Sequence, residues 1–251
     1  METNVIYNED CIGENGMCKL PDNSVDLVVT DPAYKTTSRG QSGNSGGMLQ
    51  KSINKKGQVF KYNKITIIDW IDEIYRILKN GSHCYIMTNH VNLQKYLNVI
   101  TRAGFHFIKC LIWNKGNKIM GQYYMSQYEY ILFLRKGKGV GINNCGTPDI
   151  LNVLNNKTKD KNGDNIHDTE KPIQLANILI KNSSKVGDVI ADPFAGVGWI
   201  AISSIVNNRK FICYEIDKKY YNIALKRIGK LDKKYYEQLP KEEQPKQTQL
   251  F

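Results

Sequence analysis

A chain of 251 residues is long enough for one substantial hydrophobic core and too short for two ordinary domains. Thirty-five Lys and Arg against 24 Asp and Glu give a formal charge of +11, which directs attention to a polyanionic partner, either nucleic acid or an anionic membrane surface. No apolar run approaches the roughly 20 residues of a spanning helix, and "METNVIYNEDC" has no basic stretch followed by an apolar one, so a cytoplasmic protein without a membrane anchor is expected.

In chain order, strand-like runs occur at "NVIY" (4–7), "VDLVVTD" (25–31), "HCYIMTN" (83–89), "HFIKCLIWN" (106–114), "YEYILFLRK" (128–136), "DVIADPF" (188–194) and "KFICYEID" (210–217). Several are apolar almost throughout, the pattern of strands covered on both faces. Helical periodicity falls between them at 65–78, 92–103, 172–182, 197–206 and 218–228. The alternation predicts an α/β fold with a doubly wound, mostly parallel, seven-stranded sheet. The adjacent runs at 106–114 and 128–136 break it, and predict a terminal antiparallel hairpin at one sheet edge.

One folded unit is expected over 1–230, with two segments that do not fit its layers and a polar tail at 231–251. The segment 35–64 is a basic, Gly- and Ser-rich loop insertion. The segment 137–166 is rich in Asn, Gly and Lys around one short apolar patch, "DILNVL". The six cysteines, Cys11, Cys18, Cys84, Cys110, Cys145 and Cys213, form no C-x-x-C pair, and the four histidines are scattered. Reduced thiols and no metal site are the reading.

Two strand ends carry chemistry. In open α/β sheets, ligands sit beyond the carboxyl ends of the strands, near the point where the strand order reverses. The second strand ends in Asp31-Pro32-Ala33-Tyr34, and the sixth in "ADPFAGVGWIA", where Gly196 and Gly198 precede a helix. Glycines there let the backbone turn tightly and approach a ligand. Glu215 ends the next strand, where a carboxylate can accept both hydroxyls of a ribose. Taken singly, "FAGVG" is only a strand-to-helix turn, Asp31 a turn cap and Tyr34 a core aromatic. A nicotinamide-dinucleotide fingerprint fails, because its third glycine would fall at Ala201.

The ordered combination resembles the S-adenosylmethionine-dependent DNA amino methyltransferases, which methylate adenine N6 or cytosine N4. Asp31, Pro32, Ala33 and Tyr34 match the family's D-P-P-Y motif, and Asp192 to Gly198 match its D-P-F-x-G-x-G motif. The catalytic motif comes first, an order similar to the β class. "HDTEKP" (167–172), "WIDEIYRILKNGSHCYIMTN" (70–89), "GFHFIKCLIWNK" (104–115) and the opening "YNEDCIGENGMCKLPDNSVDLVVTD" extend the likeness over most of residues 4–230. The resemblance implies Asp31, Pro32 and Tyr34 as catalytic residues. It implies Asp10, Cys11, Asp31, Thr169, Lys171, Asp192, Pro193, Phe194, Gly196, Gly198 and Glu215 around the cofactor, S-adenosylmethionine. Two positions depart from the pattern. Ala33 replaces a second proline, which loosens the backbone but removes no reacting group, and Trp199 stands where a small hydroxyl residue is usual.

The chemistry gives Asp31 a reason to sit beside a proline. An adenine amine is a poor nucleophile because its lone pair is delocalised into the ring. A carboxylate and a carbonyl that each accept one amine hydrogen allow the nitrogen to become pyramidal and free that lone pair. Proline fixes φ, and with it the carbonyl's place beside the carboxylate. A target inside a duplex has to be flipped out, and Tyr34 offers a ring on which to stack it.

Lys35, Arg39, Lys51, Lys55 and Lys56 in the basic loop are expected to neutralise phosphates of double-stranded DNA. The segment 137–166 stands where the β class places target recognition. It is short for the task, so the basic loop or a second subunit of a homodimer is expected to contribute. Asp31 favours adenine, since the family tends to begin the motif with Ser for cytosine. Cytosine-N4 methylation is the nearest alternative, and a DNA-binding protein with a decayed site is the alternative of another class. A glutamine-directed protein methyltransferase is disfavoured by the motif order. The final "QTQLF" (247–251), with Gln247, Leu250 and Phe251, resembles the short peptide with which bacterial replication and repair proteins dock on the sliding clamp.

Overall fold

The computed structural model describes residues 1–33, 62, 65–119, 123–139, 141–155 and 170–236. Its elements in chain order are β1 (Val5–Tyr7), β2 (Val25–Thr30), α1 (Ile67–Ile77), β3 (Leu78–Thr88), α2 (Leu93–Arg102), β4 (His106–Ile119), β5 (Ser126–Arg135), β6 (Ile150–Asn152), α3 (Ile173–Ser183), β7 (Val189–Asp192), α4 (Trp199–Val206), β8 (Lys210–Tyr214) and α5 (Lys218–Tyr236). The strands form one sheet in the order β1-β8-β7-β2-β3-β5-β4-β6. Only β5 runs against its neighbours, pairing antiparallel with both β3 and β4.

The continuous apolar runs are explained by two-sided burial. On one face Val28, Cys84, Ile86 and Leu132 pack against Trp70, Ile71 and Ile74 of α1 and Tyr96 and Ile100 of α2. On the other, Leu27, Val29, Tyr85, Met87 and Ile131 meet Leu175, Leu179 and Ile180 of α3. Strand β2 therefore has no face to leave polar. In α1 the buried residues Ile67, Trp70, Ile71, Ile74 and Ile77 follow the helical repeat. The helix starts where the Asp69 carboxylate accepts hydrogen bonds from the Thr66 backbone N–H at 2.6 Å and hydroxyl at 3.0 Å.

Three expectations need correction. The sheet has eight strands among the described residues, because the patch "DILNVL" supplies β6, which pairs parallel with β4 at Ile112↔Ile150. The β4–β5 hairpin is therefore covered at its outer edge and is not terminal. In β6 only Leu151 is buried while Ile150 and Asn152 face out, and three residues are too few to display an alternating pattern. Strand β3 begins at Leu78, directly from α1, so "KNGSH" belongs to the strand despite its polarity. Helix α5 continues to Tyr236, past the helical periodicity read at 218–228.

Strands β7 and β2 lie side by side at the centre. From β7 the chain passes through α4 to β8 on one side; from β2 it passes through α1 to β3 on the other. The order of the sheet reverses between them, which opens a crevice beyond their carboxyl ends. Among the described residues no helix is long and apolar enough to cross a membrane.

Candidate active site

The pairing Leu27↔Ile190 and Val28↔Ala191 sets the carboxyl ends of β2 and β7 level, bringing Asp31 and Asp192 to the same crevice. The buried Thr30 hydroxyl donates to Asp192 Oδ1 at 2.7 Å, and the Phe194 backbone N–H donates to the same oxygen at 3.0 Å. The other oxygen, Oδ2, is buried with no hydrogen-bond partner among the described residues. Burial pushes the Asp192 carboxyl up to about 7, against the pull of these two donors.

Beyond Asp192 the chain passes through the buried Pro193 and the half-buried Phe194 into the glycine turn. Gly196 and Gly198 both have positive φ, +54° and +82°, a region that disfavours a side chain. A Cβ at Gly198 would also lie 3.1 Å from the Ala224 Cβ of α5. The turn is tied to the next strand end: Glu215 Oε2 accepts from Gly196 N–H at 2.8 Å, and Oε1 accepts from Asp217 N–H at 2.7 Å. Burial pushes the Glu215 carboxyl up to about 7. Each of its oxygens keeps a second lone pair, suited to hydroxyl donors. Asp10 Oδ1 accepts from Ile12 N–H at 3.1 Å, closing a turn that leads to the buried Cys11. Burial, with the nearby charges of Asp10, Asp192 and Glu215, pushes the Cys11 thiol up. Trp199 starts α4 and is buried in the core with Leu175 and Ile190, while Phe194 packs edge-on against Trp70 at 5.5 Å.

Around Asp31 the structure assembles a group of which sequence reasoning named Lys171 and missed Glu129 and Lys115. Lys171 Nζ lies 2.6 Å from Asp31 Oδ2 and 3.4 Å from Glu129 Oε2. Glu129 Oε1 accepts from Lys115 Nζ at 2.5 Å. Asp31 Oδ1 is buried without a hydrogen-bond partner among the described residues. Burial raises the Asp31 carboxyl, opposed by Lys171. At Glu129 burial acts upward too, but Lys171 and Lys115 outweigh it and hold the carboxyl below the ordinary range. The Trp113 indole lies beneath both ammonium groups, 5.3 Å from Lys115 Nζ and 5.9 Å from Lys171 Nζ. The sequence carried no clear signal for Glu129: in "YEYILF" it is followed by the buried Ile131 but flanked by the exposed Tyr128 and the half-buried Tyr130, where a lone carboxylate reads as a solvated position.

The structure thus brings together Asp10, Cys11, Asp31, Pro32, Lys171, Asp192, Pro193, Phe194, Gly196, Gly198 and Glu215 at one end of the sheet. The Lys171 ammonium rests on the Asp31 carboxylate, another residue that the resemblance set beside the cofactor. Tyr34, Lys35, Arg39, Lys51, Lys55, Lys56, Thr169, Gln247, Leu250 and Phe251 lie outside the described residues. The arrangement can accept hydrogens from an amine at Asp31 and hold hydroxyl-bearing or cationic groups at Glu215 and Asp192.

Comparison with known proteins agrees with this geometry. A DNA methylase family model of the N6/N4 type matches residues 25–226, and the chain belongs to that family. It is 26% identical over 250 residues to the type II methyltransferase M.HinfI of Haemophilus influenzae, covering 91% of this chain and 69% of the relative. It is 24% identical to the type II methyltransferase M2.MboI of Moraxella bovis, covering 90% and 88%. Among solved structures, M1.HpyAVI in complex with S-adenosylmethionine aligns with a TM-score of 0.64 at 21% identity, covering 88% of this chain and 98% of that one. The cytosine-N4-specific PvuII DNA methyltransferase aligns with a TM-score of 0.67 at 14% identity, covering 94% and 92%.

Proposed function

We propose that the chain transfers a methyl group from S-adenosylmethionine to the N6 amine of an adenine flipped out of duplex DNA. The observation that carries the reading is Asp31: a largely buried carboxylate at the sheet's switch point, with one oxygen held by Lys171 and the other without a hydrogen-bond partner among the described residues and left as an acceptor. When bound, the cofactor supplies an electrophilic methyl group on a sulfonium. Asp31 Oδ1 and the Pro32 carbonyl accept one amine hydrogen each, which localises the nitrogen lone pair. Neither group forms a bond with the substrate, so the effect is positioning and charge stabilisation.

The residues of the crevice fit the cofactor. Glu215, held by the Gly196 and Asp217 N–H groups, takes the ribose hydroxyls; Asp10 and Cys11 flank the adenine side. Asp192, Pro193, Phe194, Gly196 and Gly198 form the floor and turn, with Lys171 at its margin; the role of Thr169 as a cofactor contact rests on the family resemblance alone. Tyr34 stacks the flipped base, and Lys35, Arg39, Lys51, Lys55 and Lys56 hold phosphates. The tail residues Gln247, Leu250 and Phe251 dock on a bacterial sliding clamp, in keeping with a bacterial cytoplasmic enzyme.

Asp31 at the head of its motif supports adenine, whereas the likeness to the cytosine-N4-specific PvuII enzyme favours N4 methylation as the second reading. Base-resolved sequencing of DNA from cells expressing the chain separates them. N6-methyladenine at one recurrent sequence is the expected result; N4-methylcytosine alone would replace the adenine reading, and unmodified DNA would oppose both.

A further inference from the structure

We propose that Glu129, with Lys115 and Lys171, is a positioning device that fixes the orientation and the charge of the catalytic carboxylate Asp31. The inference rests on the reading of Asp31 given above. Its carrier is a chain of alternating charges: Asp31 Oδ2 to Lys171 Nζ at 2.6 Å, Lys171 Nζ to Glu129 Oε2 at 3.4 Å, and Glu129 Oε1 to Lys115 Nζ at 2.5 Å. The four groups come from the end of β2, the approach to α3, β5 and β4. Their side chains are between 6% and 17% exposed.

Burying four charges is costly, and an apolar cluster of the same size would serve stability as well or better. The arrangement is explained by what it does to Asp31. The Lys171 ammonium occupies Oδ2, so the carboxylate cannot turn, and Oδ1 remains the acceptor for the amine. Lys171 also keeps Asp31 ionised in a site whose burial opposes charge. Glu129 shares the same ammonium, so Asp31 is not neutralised into a weak acceptor, and Lys115 balances Glu129. The Trp113 N–H is anchored to the Val153 carbonyl at 2.8 Å, which holds the indole in place under both lysines. Among the described residues, the other titratable groups acting near Asp31 are Asp192 on β7 and Tyr96 on α2, each raised in part by the Asp31 charge. Neither supplies a positive charge, so among the described residues Lys171 and Lys115 carry the compensation.

The signs give opposite outcomes for two variants. In Lys171→Met the protonated form of Asp31 gains, so the acid limb of the kcat–pH profile moves to higher pH and activity partly returns as pH rises. In Glu129→Gln the negative neighbour is lost, so the limb moves to lower pH, while plateau kcat falls by about ten- to a hundredfold because Lys171 now pairs with Asp31 alone. KM for DNA and for S-adenosylmethionine stays within about threefold in Glu129→Gln. The double variant removes one charge of each sign and keeps the cluster neutral; its limb lies between those of the single variants, and it serves as the folded test if either single variant fails to fold. A limb that stays put while activity drops equally at every pH would make the cluster structural and overturn the proposal, as would unchanged kcat in both single variants. Asp31→Ala is measured alongside. An active Asp31→Ala enzyme overturns the functional reading itself, whereas an inactive one with unmoved limbs in the other variants overturns only the positioning role.

Discussion

Glu215 and Asp192 are carboxyl groups that burial keeps near neutrality, with values of about 7 against ordinary ones of 4.5 and 3.8. Because the folded state holds these protons more tightly than the unfolded chain, the stability they contribute is present at low pH and is lost as pH rises from the ordinary carboxylate range toward 7. Thermal melting of the cofactor-free protein should therefore show Tm falling between about pH 5 and 7.5, and Glu215→Gln should remove part of that fall; an unchanged slope in the variant would exclude Glu215 as a source. Cofactor affinity should run the other way, rising as Glu215 ionises, and Glu215→Ala should weaken it about tenfold or more while kcat recovers at high cofactor. Both residues were legible in the sequence because each closes an apolar strand run. Glu129 and Lys115 were not. Their meeting depends on the β4–β5 register, in which Trp113 faces Glu129, and a single charge in a hairpin strand looks like an exposed position until that register is known.

The glycine turn between β7 and α4 combines strain and contact at Gly198. Alanine there would adopt a disfavoured positive φ and press on Ala224. Gly198→Ala should cost about 1–3 kcal/mol of stability and weaken S-adenosylmethionine binding more than it lowers kcat at saturation; calorimetric titration with a parallel melt checks both, and a variant with normal affinity would show the turn to be merely structural. The parallel core strands were readable because helices cover both faces, which forces runs of Val, Ile and Leu. Helices α1 and α3 were readable from periodicity to within a few residues. Strand β6 was hidden because its existence is owed to β4: the Ile112 N–H reaches the Asp149 carbonyl at 2.8 Å, and without that neighbour "DILNVL" is only a short apolar patch.

The formal charge of +11 is a property of the molecule that no one site accounts for. Neutralising Lys51, Lys55 and Lys56 together should flatten the dependence of DNA affinity on log salt by about three phosphate contacts' worth of slope without altering the preferred sequence; a changed sequence preference in binding assays would mean that the loop reads bases. A peptide of residues 242–251 should bind a bacterial sliding clamp in the micromolar range, and Leu250→Ala with Phe251→Ala should abolish this while leaving the Tm of the full chain unchanged. No binding at millimolar peptide would contradict the clamp reading. The proposed reaction turns on Asp31 as the group that activates an adenine amine. Its most direct test supplies duplex DNA and S-adenosylmethionine carrying an isotopically labelled methyl group to the wild-type chain and to Asp31→Ala, then digests the DNA to nucleosides for mass spectrometry. Labelled N6-methyladenine from the wild type and none from Asp31→Ala, with DNA and cofactor affinities within about tenfold of each other, is the predicted result. Equal labelling by the two proteins, or label found only in cytosine, would contradict it.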